Sequence, residues 1–167
     1  MVKDEKRGVA LLEDAAMVKG HPGAQCNLGH MYRGGEGGLT EDHVRAAELF
    51  TMAAEQGDAE AQHSLAAMHM SREGGLDPLD QARVMSLLTQ AAEGGEADAQ
   101  FRLGFILTNT DLNYDARRRA KGVALWEQAA AQGHATAKEM LAQYDANVEA
   151  LTLILTRRLS LTNSLEM

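Results

Sequence analysis

Cysteine and proline are scarce in this sequence, with one and two residues respectively, and each scarcity limits what the chain can be. The single cysteine, Cys26, excludes an internal disulfide framework and zinc sites built from several cysteines. Aromatic residues make up only 4% of the chain, whereas alanine is abundant. This composition favours closely packed helices over a sheet, which prefers β-branched and aromatic side chains.

Positive charge and long apolar runs are scarce as well. The formal net charge is −8, which argues against nucleic-acid binding because such binding usually needs a basic stripe. The sequence has no run of about 18 apolar residues, so we expect neither a transmembrane helix nor a membrane partner. Residues 1–7 lack the apolar segment of a secretory signal, so a complete chain is expected to be cytoplasmic.

A nine-residue stretch near the start of the chain returns near its end. Residues 8–16 and residues 122–130 match at seven of nine positions. Their offset of 114 residues is three steps of 38, and an Ala-Ala pair occupies every step, at 15–16, 53–54, 91–92 and 129–130. A period in this range indicates an array of stacked helical repeats.

Each unit of the repeat predicts two helices with a glycine between them. The apolar residues of the first helix recur at the spacing of one helix face. The inward positions expected for the four first helices are Gly8, Leu11, Leu12 and Ala15; Ala46, Leu49, Phe50 and Ala53; Val84, Leu87, Leu88 and Ala91; and Gly122, Leu125, Trp126 and Ala129. The first unit carries one extra residue before its second helix. Small residues at one position of the second helices, Gly29, Ala66, Gly104 and Ala142, predict close helix packing.

The pattern resembles the Sel1-like repeat, a short relative of the tetratricopeptide repeat. The residues that carry the resemblance are the Ala-Ala-x-x-Gly ends of the first helices, the segment Leu28-Gly29-His30-Met31-Tyr32, and the glycine-rich exit 34–38 leading to Asp42. The resemblance covers roughly residues 6–145, in units at about 6–42, 43–79, 80–116 and 117–145. It implies an all-α, right-handed α–α superhelix of four helix pairs. The third exit, residues 108–115, departs from the pattern because it has no glycine.

The two ends of the chain lie outside the repeat. Residues 1–5 form a lead, and residues 146–167 form a tail that begins with an apolar, threonine-rich segment. We expect this segment to be a capping helix over the end of the array or a continuation of the last helix, although its alternation of Thr and Leu also permits a strand. Within the tail, residues 157–160 resemble a basophilic kinase site at Ser160, a four-residue match that is common by chance.

Candidates for chemistry are weak. The loop at residues 34–38 lacks the Gly-Lys-Ser/Thr ending of a phosphate-binding loop and is expected to be a turn. The histidines at positions 21, 30, 43, 63, 69 and 134 form no His-x-x-x-His pair and are grouped with no cysteine, so they predict no metal site. His21 and His134 are expected to be turn residues, and Cys26 a packing residue rather than a nucleophile. The sequence therefore predicts no catalytic residue and no cofactor.

The resemblance also implies where a binding surface would lie on the array. In tetratricopeptide-like arrays the first helices line the concave face, which implies a mildly acidic groove. The residues at these positions are Glu48, Thr51, Met52, Glu55, Ser86, Thr89, Glu93 and Glu127. The equally weighted alternative is an ordinary solvated helix face. The basic run Arg117, Arg118, Arg119 and Lys121 is expected to be solvated, with an acidic docking site as its alternative.

The function expected from these features is binding of a peptide or partner domain by a monomeric adaptor or scaffold, without enzymatic activity. One alternative is a structural segment of a longer array. Another is an enzyme, since some cysteine-rich proteins of this repeat type are associated with β-lactam binding. Those proteins have a disulfide in each repeat, and a chain with only Cys26 does not match them.

Overall fold

The computed structural model describes residues 3–77, 80–109 and 115–165, and the regular elements in these ranges are helical. The α-helices are α1 (Lys3–Glu13), α2 (Pro22–Gly34), α3 (His43–Glu55), α4 (Ala59–Ser71), α5 (Gln81–Glu93), α6 (Ala97–Thr108), α7 (Ala116–Ala131) and α8 (Ala135–Leu165). A π-helical turn, Asp14–Val18, extends α1, and a 3-10 turn, Glu73–Gly75, follows α4. The all-α prediction is confirmed.

The helices form four consecutive pairs, and each pair packs on the next. The second helix of one pair contacts both its own first helix and the first helix of the following pair, as α4 contacts α3 and α5. The α6 helix contacts α5 and α7 in the same way. A helix pair that is too small to bury its own apolar face gains a continuous core by this stacking. The predicted repeat array is therefore confirmed.

The inward faces predicted for α3, α5 and α7 are buried throughout. In the first unit the prediction is wrong at Gly8, which is exposed, and at Leu11, which has 65% of its surface exposed. Leu12 and Ala15 of the same predicted face are half-buried against the core. The equivalent residue of α3, Leu49, is buried because it packs back against Leu28 of the preceding pair. Within the described residues α1 packs mainly on α2, and this packing leaves Leu11 exposed.

The turn between the two helices of a pair has one repeated construction. The residue before each second helix accepts a hydrogen bond from a backbone N–H in the first turn of that helix, which satisfies a donor that the helix leaves unpaired. These capping residues are His21, Asp58, Glu96 and His134, which bond to Ala24, Ala61, Ala99 and Ala137. The predicted role of His21 and His134 as turn residues is confirmed.

The extra residue of the first unit is absorbed by the π-helical turn. In the other three turns the backbone N–H of the capping residue bonds to the carbonyl five residues earlier, as from Asp58 to Ala53. In the first turn the bond runs from His21 to Ala15, six residues earlier, and Lys19 donates to Asp14. A π-helical turn of this kind holds one more residue than an α-helical turn.

The small residues of the second helices have the predicted role at two sites. A Cβ atom built on Gly29 would lie 2.9 Å from the Phe50 ring, and one on Gly104 would lie 2.6 Å from the Trp126 ring. Glycine is therefore needed where α2 meets α3 and where α6 meets α7. At the fourth position the prediction is wrong, because Ala142 is exposed and no helix packs against it.

The C-terminal segment continues α8 as one helix, which is the second of the two helical forms that the sequence allowed. Side chains from 145 to 154 are exposed, so this continuation does not lie across the end of the array. Ser160 lies in its helical backbone, beyond the side chains that the structure describes.

Among the described residues, no helix is long and apolar enough to cross a bilayer. Residues 110–114 of the third exit lie outside the described ranges.

Candidate functional site

The residues predicted to bind a partner belong to the first helices α3, α5 and α7. We call the surface that carries them the first-helix face. Its members are Glu48, Thr51, Met52 and Glu55 of α3, Ser86, Thr89 and Glu93 of α5, and Glu127 of α7. All of these are exposed or half-buried. Two shallow depressions bring five of them together, whereas Glu55, Ser86 and Glu127 line neither.

The first depression is mainly apolar and has a volume of about 460 Å³. Its lining consists of Val44, Ala47, Glu48, Thr51 and Met52 of α3 together with Gly74 and Leu76 from the segment after α4. Val44 and Met52 are among the more exposed large apolar residues of the chain. Arg45 donates a 2.7 Å hydrogen bond to the Glu48 carboxylate, which partly neutralises its charge at the rim.

The second depression is more polar and lies between α5 and α7, with α6 behind it. Its volume is about 390 Å³, and its lining consists of Thr89, Ala92, Glu93, Gly95, Gln100, Leu103, Lys121, Leu125 and Gln128. Thr51 and Thr89 occupy equivalent positions of the two depressions, 38 residues apart. Each threonine hydroxyl donates to the carbonyl four residues earlier at 2.7 Å. Both depressions therefore open beside the same position of a first helix.

The basic run does not form one surface. Arg117 and Arg118 are exposed near the start of α7. Arg119 lines a cleft between α7 and α8, whereas Lys121 lines the second depression. A difference of two positions on a helix turns the side chains through about 200°, which separates these two residues.

Buried glutamines join the repeats, and the sequence interpretation did not identify them. Gln25, Gln62 and Gln100 donate to the last carbonyls of the preceding first helices, at Ala16, Ala54 and Ala92. Each also bonds to a glutamine of the next pair, namely Gln56, Gln90 and Gln132. A recurring glutamine at 25, 62 and 100 is visible in the sequence, but only the fold shows that it caps a helix.

An ion-pair network joins the first two pairs at the exit of α2. Arg33 holds Glu73 with two hydrogen bonds, of 2.8 and 3.1 Å, and Ser71 donates to the same carboxylate. The His43 ring also lies 3.2 Å from it. The hydrogen bond from Arg33 is the main reason that the pKa of Glu73 falls to about 2. Arg33 and Glu73 are 40 residues apart, so no local pattern in the sequence links them.

The opposite side of the array, between consecutive second helices, carries a second set of polar groups. Cys26 and His30 of α2 lie beside Glu60 of α4, with their ligand atoms within 4.8 Å of one another. One repeat further on, His63 of α4 lies beside Glu96 and Asp98 at the start of α6. Cys26 and His30 are four residues apart, on one face of α2. This corrects the sequence interpretation, which grouped no histidine with a cysteine.

The Cys26 thiol does not have the properties of a catalytic nucleophile. Cys26 is 1% exposed, and burial, followed by the charges of Glu60 and Asp58, raises its pKa to about 12. A thiol in this state is protonated at neutral pH, whereas a nucleophilic cysteine needs a lowered pKa. The pKa of His63 is lowered, mainly by burial, and Arg102 donates a 3.0 Å hydrogen bond to its ring.

Among the solved structures that resemble the fold are two proteins of known family or fold. The first, a Sel1 repeat protein from Oxalobacter formigenes, has a TM-score of 0.64 and 24% identity over 74% of this chain and 47% of that chain. The second is c5321, a protective antigen present in uropathogenic Escherichia coli strains that displays an SLR fold. It has a TM-score of 0.65 and 30% identity over 77% of this chain and 26% of that chain. The chain thus spans about half and about a quarter of their lengths. Comparison with curated protein sequences finds no match.

The family model described as Sel1 repeat matches residues 22–58, 59–96 and 97–134, which together make up more than half of the chain. These units begin with a second helix, so they divide the array in a different phase from the predicted units, whose boundaries stay a prediction. Proteins with this repeat are generally non-enzymatic protein-interaction scaffolds. The family model matches three repeats, and the helix pairs, their capping residues and their stacking recur at the same period. The chain therefore belongs to the Sel1 repeat family.

Proposed function

We propose that the chain is an adaptor that holds an extended segment of another protein along its first-helix face. The observation that carries this proposal is the pair of depressions that open beside equivalent threonines, Thr51 and Thr89, of successive first helices. A peptide that crosses both would place one side chain in each, and repeat arrays offer extended surfaces of this kind.

The chemistry of the two depressions suggests what the segment contains. Val44, Met52 and Leu76 offer an apolar floor to one side chain of the segment. Methionine adapts its shape to different apolar partners, which suits a site of this type. Glu93 and Lys121 line the second depression from α5 and α7, so they favour a polar or charged residue there. A segment with an apolar anchor followed by a polar stretch fits both.

The test begins with the selection of peptides from a random displayed library on the purified chain. We expect the selected peptides to bind the wild type and to lose at least tenfold in affinity to the double variant Glu48→Lys/Glu93→Lys. Fluorescence anisotropy measures the affinity, and circular dichroism checks that both forms are equally helical. The matched control is Glu139→Lys, a reversal of charge at an exposed position of α8.

Two outcomes would contradict the proposal. Equal binding by wild type and double variant would place the peptide elsewhere on the array. Loss of binding in Arg117→Glu/Arg118→Glu, with the double variant unaffected, would instead favour the acidic docking site on the basic run. Loss in the Glu139→Lys control would indicate a nonspecific effect of charge.

A further inference from the structure

The side of the array opposite the first-helix face carries a group of side chains that the proposed function does not use. Cys26 and His30 lie one turn apart on α2, and Glu60 lies opposite them in the first turn of α4. The His30 Nε2 atom lies 3.2 Å from a Glu60 carboxylate oxygen. The thiolate, imidazole and carboxylate are the three ligand types that zinc accepts in proteins.

The positions of these groups are fixed by the packing of α2 and α4. Cys26 and its backbone are fully enclosed in the core. The His30 ring meets the Phe50 ring edge-on, with a centroid distance of 4.8 Å, which holds the imidazole in its orientation. The side chains of His30 and Glu60 are 39% and 63% exposed, so an ion can enter from solvent and water can complete its coordination.

We propose that Cys26, His30 and Glu60 bind a zinc ion that joins the first two helix pairs, and that the Cys26 thiol releases its proton to solvent as the zinc–sulfur bond forms. Ligand atoms around tetrahedral zinc are separated by roughly 3.4–3.8 Å. The present separations lie within 4.8 Å, so closure requires only small side-chain movements. The Glu60 side chain is 63% exposed, so it has room to move towards the ion.

The next interface along the array supplies a natural comparison. His63 is at the position equivalent to Cys26, and Asp98 is at the position equivalent to Glu60. Together with Glu96, they form a second cluster of side chains that could hold a metal ion. There, however, the Arg102 Nε atom donates to the His63 ring at 3.0 Å. The residue equivalent to Arg102 in the first group is Ser64, a neutral hydroxyl 3.5 Å from His30. The Arg102 guanidinium repels a cation at the second group, whereas the hydrogen-bond partners of His30 in the first group are the neutral Ser64 hydroxyl and the Glu60 carboxylate.

Cobalt(II) is the probe ion, because it adopts the geometry of zinc and has a visible spectrum. The reduced full-length chain is titrated with cobalt alone and then with zinc. We expect one cobalt per chain, intense visible bands of a tetrahedral site and a near-ultraviolet charge-transfer band from sulfur to cobalt. Zinc should displace the cobalt and abolish both sets of bands.

Two variants assign the ligands. In Cys26→Ser the sulfur band should disappear and zinc affinity should fall at least tenfold. Glu60→Gln changes an exposed side chain, so it tests the site in a chain that folds as the wild type does, and it should also lower zinc affinity at least tenfold. The matched control Asp98→Asn, at the equivalent position one repeat further on, should bind zinc with unchanged affinity.

Zinc should also raise the melting temperature of the wild type and not that of Glu60→Gln, because an ion that binds only the native state stabilises it. The proposal is overturned by the absence of saturable cobalt or zinc binding in the wild type. It is overturned equally by a cobalt complex without a sulfur band, or by binding that Asp98→Asn weakens and Glu60→Gln does not.

Discussion

At the scale of single residues, Arg72 is the one non-glycine residue with a positive φ among those described, at 63°. It follows the last turn of α4, where the equivalent residue after α2 is Gly35, with a φ of 66°. A left-handed conformation costs a residue with a Cβ atom about 1–2 kcal/mol, and glycine adopts it freely. The Arg72 side chain is exposed, so its loss removes no buried contact.

We therefore expect Arg72→Gly to stabilise the chain by about 0.5–1 kcal/mol, which is less than the full strain because glycine also makes the unfolded chain more flexible. Urea denaturation measures the change. Arg72→Ala is the control, since it removes the same side chain but keeps the Cβ atom. An equal gain in stability from both variants would show that the side chain, and not the backbone conformation, is responsible.

Glu73 makes the stability of the chain depend on pH. Its pKa is lowered from 4.5 to about 2 in the folded state, first by the hydrogen bond from Arg33. A lowered carboxyl pKa means that the ionised form is favoured by folding. The resulting stabilisation is complete above pH 4.5 and is lost as the pH falls towards 2.

We expect Glu73→Gln to lower the free energy of unfolding by about 1–3 kcal/mol at neutral pH, with less than half of that difference from the wild type left at a pH of about 3. Thermal or urea unfolding across this range measures the difference. Glu139→Gln, which changes an exposed carboxylate of α8 instead, should give no such pH dependence. A constant difference between wild type and Glu73→Gln at all pH values would contradict the role given to the Arg33 ion pair.

At the scale of elements, the turns between paired helices differ by one residue. The first turn carries the extra residue in a π-helical segment, yet Gln25 still bonds to Ala16 as Gln62 bonds to Ala54. The helices on both sides of the first turn are therefore in the register of the repeat. Val18, in the π-helical segment, is 78% exposed and contributes little to the core.

Deletion of Val18 should convert the π-helical turn into the shorter turn of the other units, without loss of stability. We expect the melting temperature to stay within about 3 °C of the wild type, a change of no more than about 1 kcal/mol. Deletion of Glu55, at the end of α3, is the control. This deletion shortens the turn between α3 and α4, which does not contain the extra residue of the first turn. It should therefore lower the melting temperature by a clearly larger amount. Equal effects of the two deletions would mean that the extra residue has a structural role of its own.

The elements also show what the sequence could and could not predict. The apolar spacing of α3, α5 and α7 predicted their buried faces because each of these helices has neighbours on both sides. The same spacing failed at Leu11, because none of the described helices packs on it as α2 packs on Leu49 of α3. The bond between Arg33 and Glu73, and the approach of Glu60 to Cys26, depend on how the pairs stack. Residues more than 30 positions apart come together there, and local periodicity has no information about such contacts.

The same limit applies to the first-helix face. The repeat predicted that Glu48, Thr51 and Thr89 would share one side of the array, and equivalent threonines do line both depressions. The contributions of Leu76 and Lys121 were not predicted as part of that surface. They come from the segment after α4 and from α7, and only the stacking of successive pairs brings them to the first helices.

At the scale of the whole molecule, the contacts are arranged in a line. Each pair contacts its neighbours, and the core runs continuously from α2 to α7. In such an array stability is approximately a sum of local and nearest-neighbour terms, so opening is not uniform. Amide hydrogen exchange should be slowest in α3 to α6, faster in α1, and fastest in the continuation of α8, where side chains from 145 to 154 are exposed.

Replacement of a central residue tests whether this gradient comes from nearest-neighbour packing. Leu65 of α4 is 1% exposed, and Leu65→Ala should cost about 2–5 kcal/mol. We expect exchange to accelerate most in α3, α4 and α5, which meet at this residue, and least in α8. Leu11→Ala is the matched control, and it should leave the gradient unchanged because Leu11 is already exposed. Equal acceleration in every helix by Leu65→Ala would instead mean that the four pairs unfold as one cooperative unit, with no independent opening at either end.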